Sequence, residues 1–247
     1  MLTPEALAEE LRALTRATSC PYNLNFFCHR PPAADPGREA RWRAHLAPLY
    51  AEAGLDASAV PAGAGRQPFS HEVADVVAPF RPPVVSFHFG LPAPDLLARV
   101  KGWGAKVLSS ATTVAEARWL QAHGADAVIA QGLEAGGHRG LFLDEDLSGQ
   151  LGSFALFPQV RQAVELPVIG AGGIVDEAGV HAARALGVHG VQAGTAYLLC
   201  DEALTSPVHR AALAGDTPTA LTNLFTGRPA RGIVNRLMRE FGPLSPH

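Results

Sequence analysis

The chain contains 247 residues, of which 47% are hydrophobic and 17% are charged. This composition is typical of a compact, enzyme-like protein with a sizeable core, and it excludes a disordered or fibrous chain. The formal net charge is −3 and the sequence has no basic tract, which excludes nucleic acid and an anionic membrane as main partners.

The cysteines and the apolar segments indicate where the protein resides. Cys20, Cys28 and Cys200 are far apart and form no CxxC pair, so we expect reduced thiols and no metal site. The longest apolar runs fall short of the ~20 residues that a membrane span needs. The N-terminus carries acids where a secretory signal would be apolar. We therefore expect a cytoplasmic protein without a membrane segment.

Signals for helices and strands alternate along the chain, and several helices begin at a capping residue. The predicted caps are Thr3, Ser70, Thr112 or Thr113, and Asp176. The predicted helices begin after Thr3 and cover residues 39–53, 70–77, 95–103, 114–123, 157–165, 177–186 and 206–214. The predicted strands cover residues 22–28, 84–89, 106–109, 127–130, 167–170 and 190–193. Residues 60–68 are predicted to be a connection, and residues 226–232 a turn.

The repeated order of strand, glycine loop and helix is the rhythm of a parallel α/β sheet. About six strands leave a choice between an open doubly wound sheet and a (β/α)8 barrel. The glycine loops at 171–173 and 193–195 favour the barrel, because barrels bind phosphate with the loops after their last strands. We predict a TIM (β/α)8-type barrel that lacks its first two strands. The expected domains are a barrel at 1–205 and a C-terminal extension at 206–247.

Residues 126–140, DAVIAQGLEAGGHRG, contain the clearest functional signal in the sequence. A short buried strand leads directly into a glycine-rich loop that carries Glu134 and His138. Glycines remove the Cβ obstruction, so a ligand can approach this backbone closely. His138 follows a barrel strand, at the edge where catalytic groups lie, and an imidazole can accept a proton or stabilise an anion near neutral pH. Glu134 is expected to order the loop.

At residues 131–140, QGLEAGGHRG, the sequence resembles the nitronate monooxygenase family, formerly called 2-nitropropane dioxygenases. Residues 86–90, the loops at 170–174 and 194–195, and residues 226–236 support the resemblance. The resemblance implies a TIM barrel with a small helical lid and non-covalently bound FMN. Residues 206–247 would then be a partial lid extension that lacks the C-terminal part of the helical lid. It also implies oxidation of alkyl nitronates by O2 to a carbonyl compound and nitrite, without a metal.

The resemblance also implies roles for individual residues. His138 is the catalytic imidazole, which binds an anionic nitronate or acts as base toward a neutral nitroalkane. Some relatives carry lysine at the position of Ser110 and aspartate at that of Gln131. The implied partners are the small nitro compound and O2, and a homodimer is compatible with the sequence. The implied FMN-binding residues are Asn25, Gln131, Gly137, Gly172, Gly173, Gly194 and Thr195.

Two alternatives remain open from the sequence. A flavin-dependent enoyl-acyl-carrier-protein reductase has a closely similar glycine-rich histidine loop and would use NAD(P)H, although the chain has no GxGxxG fingerprint. A truncated, non-catalytic FMN-barrel remnant is the other alternative, since relatives begin with a strand that is not visible here. His88 is expected to be structural, with a role in lining the site as the alternative. Arg228 and Arg231 are expected to have structural roles, with binding of a substrate anion as the alternative.

Overall fold

The computed structural model describes residues 2–56, 59 and 67–245. Most of the predicted connection at 60–68 lies outside the described residues. In chain order the strands are β1 (Asn23–Phe27), β2 (Val84–His88), β3 (Lys106–Ala111), β4 (Ala127–Gln131), β5 (Gly137–His138), β6 (Val168–Ala171), β7 (Gly190–Gln192), β8 (Thr219–Thr222) and β9 (Ala230–Ile233). The helices are α1 (Pro4–Ala17), α2 (Pro36–Glu52), α3 (His71–Val77), α4 (Pro94–Gly102), α5 (Val114–Ala122), α6 (Ser153–Ala163), α7 (Glu177–Ala185), α8 (Pro207–Leu213) and α9 (Arg236–Phe241).

The main sheet contains six parallel strands in the order β1-β2-β3-β4-β6-β7. Spatial order therefore follows chain order, as it does around a barrel, whereas a doubly wound sheet reverses its order at a switch point. In the described part of the chain, β1 and β7 form the two edges of this sheet. The predicted parallel α/β architecture is confirmed.

Alternating residues of the strands bury apolar side chains under the helices. Val85 and Phe87 of β2 pack with α1, α3 and α4, while Val128 and Ala130 of β4 pack with α5, α6 and α7. The alternate positions of the same strands carry polar groups, because successive strand residues point to opposite faces. The polar side chains on the opposite face include those of Asn25, Ser86, His88, Ser110 and Gln131.

A second, antiparallel sheet has the order β5-β9-β8. The two-residue strand β5 belongs to the glycine-rich loop after β4, and it pairs with β9 through Gly137 to Arg231 and His138 to Ala230. The sequence predicted a turn over residues 226–232, but β9 begins at Ala230, so the end of that prediction is wrong. A strand that pairs with a distant partner gains its hydrogen bonds only in the folded chain.

Two helices begin earlier than predicted. α2 begins at Pro36 after the capping residue Asp35, and α6 begins at Ser153 instead of residue 157. No helix among the residues described has both the length and the apolarity that a membrane span requires.

Gly132 joins β4 to the glycine-rich loop, and the fold leaves no space for a side chain at this position. A Cβ added there would lie 2.6 Å from the Cα and from the backbone nitrogen of Ser153, so the start of α6 would have to move. We expect Gly132→Ala to lower the free energy of unfolding by about 1–3 kcal/mol, measured by chemical denaturation. Gly102→Ala is the control, because a Cβ at Gly102 meets nothing within 4 Å. Equal stability of the two variants would contradict the prediction.

Candidate active site

The glycine-rich loop folds back over the carboxyl end of β4. Gln131, the last residue of β4, is buried, and its Nε2 donates to the His138 carbonyl oxygen at 2.9 Å. Its Oε1 accepts from the Gly140 backbone N–H at 2.7 Å. The amide nitrogen and the amide oxygen of Gln131 therefore both hold the loop that carries His138. The contact of Gln131 with a flavin stays a prediction.

His88 supports His138 from the neighbouring strand β2. Its Nε2 lies 3.1 Å from the His138 carbonyl oxygen, and its Nδ1 lies 3.0 Å from Ser110 Oγ. A carbonyl oxygen only accepts hydrogen bonds, so Nε2 carries the proton and Nδ1 accepts from the serine hydroxyl. Gly140 leaves room for this ring, since a Cβ there would lie 2.8 Å from His88 Cε1. Ser110 thus donates to His88, which in turn donates to the main chain of His138.

Burial lowers the pKa of His88 to about 4 from 6.5. The hydrogen bond to the His138 carbonyl raises the pKa, while the nearby charges of His138 and Arg139 lower it. Between pH 6.5 and about 4 the unfolded chain binds a proton that the folded chain does not, so stability falls as pH falls through this window. Above pH 6.5 both states are neutral at this residue.

We expect the free energy of unfolding to depend less on pH between 6.5 and 4 in His88→Gln than in the unsubstituted protein. Chemical denaturation at several pH values in this window measures the slope. His181→Gln, at an exposed histidine, is the control for the substitution itself. An identical slope in His88→Gln would show that His88 does not titrate with folding.

Two aromatic side chains lie beside the imidazole of His138. The ring centroids of Phe27 and Phe89 lie 6.3 Å and 6.1 Å from it, both at edge-on angles. Phe89 has a φ of +70°, a left-handed conformation that is rare for a bulky residue and marks a constrained site. The guanidinium of Arg228 lies 5.1 Å from the Phe89 ring centroid. The imidazole therefore lies beside a pair of phenylalanine rings, and the guanidinium of Arg228 contacts one of them.

The loops after β6 and β7 form a cradle of backbone at the same edge of the sheet. Gly172 and Gly173 have φ values of +115° and +69°, and a Cβ at Gly172 would lie 3.0 Å from the Ala135 nitrogen. In the described part of the chain, no backbone acceptor takes the N–H groups of Gly172, Gly173 and Gly194. Thr195 begins a 3-10 helix, Thr195–Leu199. Free N–H groups on two adjacent loops fit a phosphate.

The remaining predicted cofactor residues lie at different places. Asn25 is the third of five residues in β1, so it lies within the strand and not at its end. Its Oδ1 accepts from Ser86 Oγ at 2.8 Å. Gly137 lies in β5 with a φ of +77° and pairs with Arg231, directly beside His138. The structure thus brings Gln131, Gly137 and His138 together and places Asn25 deeper in the sheet.

Glu134 orders the loop, as expected from the sequence. Its Oε2 accepts from the backbone N–H of Ser153 at 2.8 Å and from the Ser153 hydroxyl at 2.9 Å. Burial acts to raise the pKa of Glu134, but the Ser153 hydrogen bonds and the charge of Arg231 more than offset it, and the pKa lies below its usual range. An ionised carboxylate therefore stabilises the start of α6.

Arg139 was not recognised from the sequence, although it follows His138 directly. It is fully buried, and its guanidinium donates to the carbonyl oxygens of Gln131 at 2.9 Å and Gly132 at 2.6 Å. It also donates to Gln150 Oε1 at 2.8 Å. Burial, followed by the charge of Arg231, lowers its pKa to about 10, so it remains charged at neutral pH. The sequence signal that could have identified Arg139 is its position between His138 and Gly140 in the glycine-rich segment.

The other two arginines of interest contact main-chain oxygens. Arg228 donates to the Arg30 carbonyl at 3.0 Å, and Arg231 donates to the Leu133 carbonyl at 3.0 Å. Both contacts hold the β8–β9 hairpin against the barrel. Among the residues described, no group of three His, Cys, Asp or Glu side chains is placed to hold a metal ion.

Comparisons with known proteins identify the family. The family model for nitronate monooxygenase matches residues 1–246. The chain is 44% identical to nitronate monooxygenase from Pseudomonas aeruginosa over 94% of this chain and 66% of that protein. It is 40% identical to a nitroalkane oxidase structure from Streptomyces ansochromogenes, with a TM-score of 0.89 over 98% of this chain and 69% of that one.

A more distant solved structure, FabK from Thermotoga maritima, is 27% identical with a TM-score of 0.70. The aligned region covers 97% of this chain and 63% of the FabK chain. The chain therefore spans about two thirds of the length of the relatives that it matches. The agreement in fold confirms the predicted barrel-type α/β architecture. Family model, sequence identity and fold lead to one conclusion: the chain belongs to the nitronate monooxygenase family.

Proposed function

We propose that the protein is an FMN-dependent nitronate monooxygenase, which oxidises alkyl nitronates with O2 to a carbonyl compound and nitrite. The observation that carries the proposal is the placement of His138. Its main chain is held by Gln131, His88 and β9 at the carboxyl edge of the barrel strands, which is the edge where barrel enzymes have their active sites. Family membership supports the choice of substrate class.

The cradle after β6 and β7 supports FMN as the cofactor. Gly172, Gly173, Gly194 and Thr195 would hold its phosphate through backbone N–H groups, because their free donors and open backbone suit an anion. Gln131, Gly137 and Asn25 would contact the flavin ring. Bound FMN would supply the redox chemistry with the substrate and O2.

The chain's own residues would bind and orient the nitro compound. A charged His138 attracts an anionic nitronate, and a neutral His138 accepts the proton from the carbon of a nitroalkane. Phe27 and Phe89 would form an apolar wall on one side of the imidazole. Neutral His88 adds no charge to the site but keeps the His138 main chain in place.

We also propose that the barrel at 1–205 and the extension at 206–247 act together. The strand β5, which contains His138, pairs with β9 of the extension. The Arg139 backbone N–H also donates to the Pro229 carbonyl at 2.9 Å. Because His138 is paired with β9 of the extension, the site would need the extension to keep its shape.

The experiment that tests the function is an absorption spectrum of the purified protein, followed by oxygen uptake with propionate 3-nitronate. We expect a flavin spectrum, oxygen consumption and nitrite release. A colourless protein that stays inert with added FMN would contradict the proposal and favour a non-catalytic remnant. Rapid bleaching of the flavin by NAD(P)H without nitronate would instead favour the reductase alternative.

A further inference from the structure

We propose that Thr226 is the positioning residue of His138 and that it keeps the neutral imidazole in the tautomer with its proton on Nε2. The other ring nitrogen, Nδ1, is then the one that accepts a proton from the substrate. The catalytic part of this inference rests on the proposed function, whereas the tautomer does not.

Thr226 reaches His138 from a distant part of the sequence. It lies in the loop between β8 and β9, 88 residues after His138, and its Oγ1 is 2.8 Å from His138 Nε2. The same hairpin pairs Ala230 with His138 in the small sheet. Main chain and ring of the histidine are thus held by one hairpin, which fixes both the position and the rotation of the imidazole.

The hydrogen-bond capacity of a hydroxyl selects the tautomer. A threonine hydroxyl donates one hydrogen bond and accepts two. Besides the imidazole, Thr226 Oγ1 lies 3.3 Å from the Arg228 carbonyl oxygen and 3.4 Å from the Arg228 backbone nitrogen. The carbonyl can only accept and the N–H can only donate, so the hydroxyl donates to the carbonyl and accepts from the N–H. Its remaining lone pair accepts from Nε2–H of His138.

The opposite tautomer satisfies fewer groups. With an unprotonated Nε2, the hydroxyl would turn its single proton toward the ring, and its contact with the Arg228 carbonyl would be lost. The arrangement with Nε2–H satisfies all three neighbours of Thr226, and it leaves the lone pair of the neutral ring on Nδ1. Thr226 therefore favours the tautomer in which Nδ1 is the basic nitrogen.

The proton balance of the reaction is consistent with this role. The proton on the carbon of a neutral nitroalkane moves to Nδ1, and the electron pair of the C–H bond remains on the substrate as the nitronate. The imidazolium that forms keeps its Nε2–H donated to Thr226. A hydrogen bond from a charged donor is stronger than one from a neutral donor, so Thr226 stabilises the product of the transfer more than its starting state.

The tautomer is measurable without substrate. Nitrogen NMR of 15N-histidine-labelled protein distinguishes the two tautomers, and comparison with His138→Gln assigns the signals of His138. We expect the Nε2–H form in the unsubstituted protein, the same form in Thr226→Ser, and a mixture in Thr226→Val. Thr217→Val, at an exposed threonine before β8, is the control. A predominant Nδ1–H form in the unsubstituted protein would overturn the proposal.

Kinetics test the catalytic part. Thr226→Val should lower kcat for a neutral nitroalkane about 3- to 10-fold, the loss of one hydrogen bond, with little change in KM. Thr226→Ser should restore most of the rate, and a preformed nitronate, which has no carbon proton to give up, should be affected less.

A double-substitution cycle isolates the pair. Thr226→Val should cause no further loss in a His138→Gln background, because the imidazole that Thr226 positions is already absent. An equal loss in both backgrounds, or no rescue by serine at unchanged thermal stability, would overturn the positioning role. If the Nε2–H tautomer is found but neither substrate is oxidised, the positioning contact is supported and the proposed function is contradicted.

Discussion

Replacing His138 with glutamine should lower kcat for a neutral nitroalkane by about 10²- to 10⁴-fold, the usual contribution of a general base. Glutamine retains polar atoms near Thr226 but cannot accept a substrate proton at neutral pH. The backbone contacts of His138 to Gln131, His88 and β9 do not involve its side chain. The fold should therefore survive the substitution. Oxygen uptake and nitrite release measure the effect.

A preformed nitronate separates the two roles of His138. It needs no proton removal, so its oxidation should fall less than that of the nitroalkane in the same variant. The exposed His181 provides the matched control, and His181→Gln should retain full activity with both substrates. If His138→Gln lost no more activity than the control, the imidazole would have no part in the reaction.

Replacing Arg139 with methionine should lower the free energy of unfolding by about 3–5 kcal/mol, the cost of breaking a buried charged network. The guanidinium is fully buried, and it satisfies the carbonyl oxygens of Gln131 and Gly132 as well as Gln150 Oε1. Methionine fills much of the space but donates no hydrogen bond, so these acceptors would be left unsatisfied. Chemical denaturation at pH 7 measures the loss.

The network behind Arg139 makes a further test possible. Gln150 Nε2 donates to Thr112 Oγ1 at 2.9 Å, and the Thr112 hydroxyl donates to Glu116 Oε2 at 2.8 Å. Glu116 is also buried, so the opposite charges of Arg139 and Glu116 are connected through two neutral side chains. Combining Arg139→Met with Glu116→Gln should therefore cost less than the sum of the single losses.

Arg184 is the matched control for this prediction because it is exposed on α7. Arg184→Met should change the free energy of unfolding by less than about 0.5 kcal/mol. A similarly small effect of Arg139→Met would mean that the loop keeps its conformation without the buried guanidinium, and the account of the network would fail.

Local sequence signals determined most of the barrel. Thr3, Ser70, Thr113 and Asp176 cap their helices in the structure as predicted, and each side chain accepts from a backbone N–H three residues later. The strands of the main sheet lie within one or two residues of their predicted bounds. These features depend on neighbours in the sequence, and the buried, apolar strands of a parallel sheet are read from short segments.

The tertiary structure alone decided the start of α6 and the course of the β8–β9 hairpin. α6 begins at Ser153 because Glu134, 19 residues earlier, accepts from its N–H, whereas the residue at the cap position is Gly152. The strand β9 exists because β5 and β8 pair with it. A strand propensity expresses the fit to neighbouring strands more than a property of the segment itself.

The active site likewise depends partly on local sequence and partly on tertiary structure. The sequence by itself determined that a glycine-rich loop would present His138 at the end of β4, since glycines and a strand end are local features. The contacts of His138 with His88, Thr226 and Ala230 join residues that lie 50, 88 and 92 positions apart. Such contacts depend on how the chain packs, because side-chain hydrogen bonds between distant residues leave no periodic pattern in the sequence. Folding therefore decided which groups surround the imidazole.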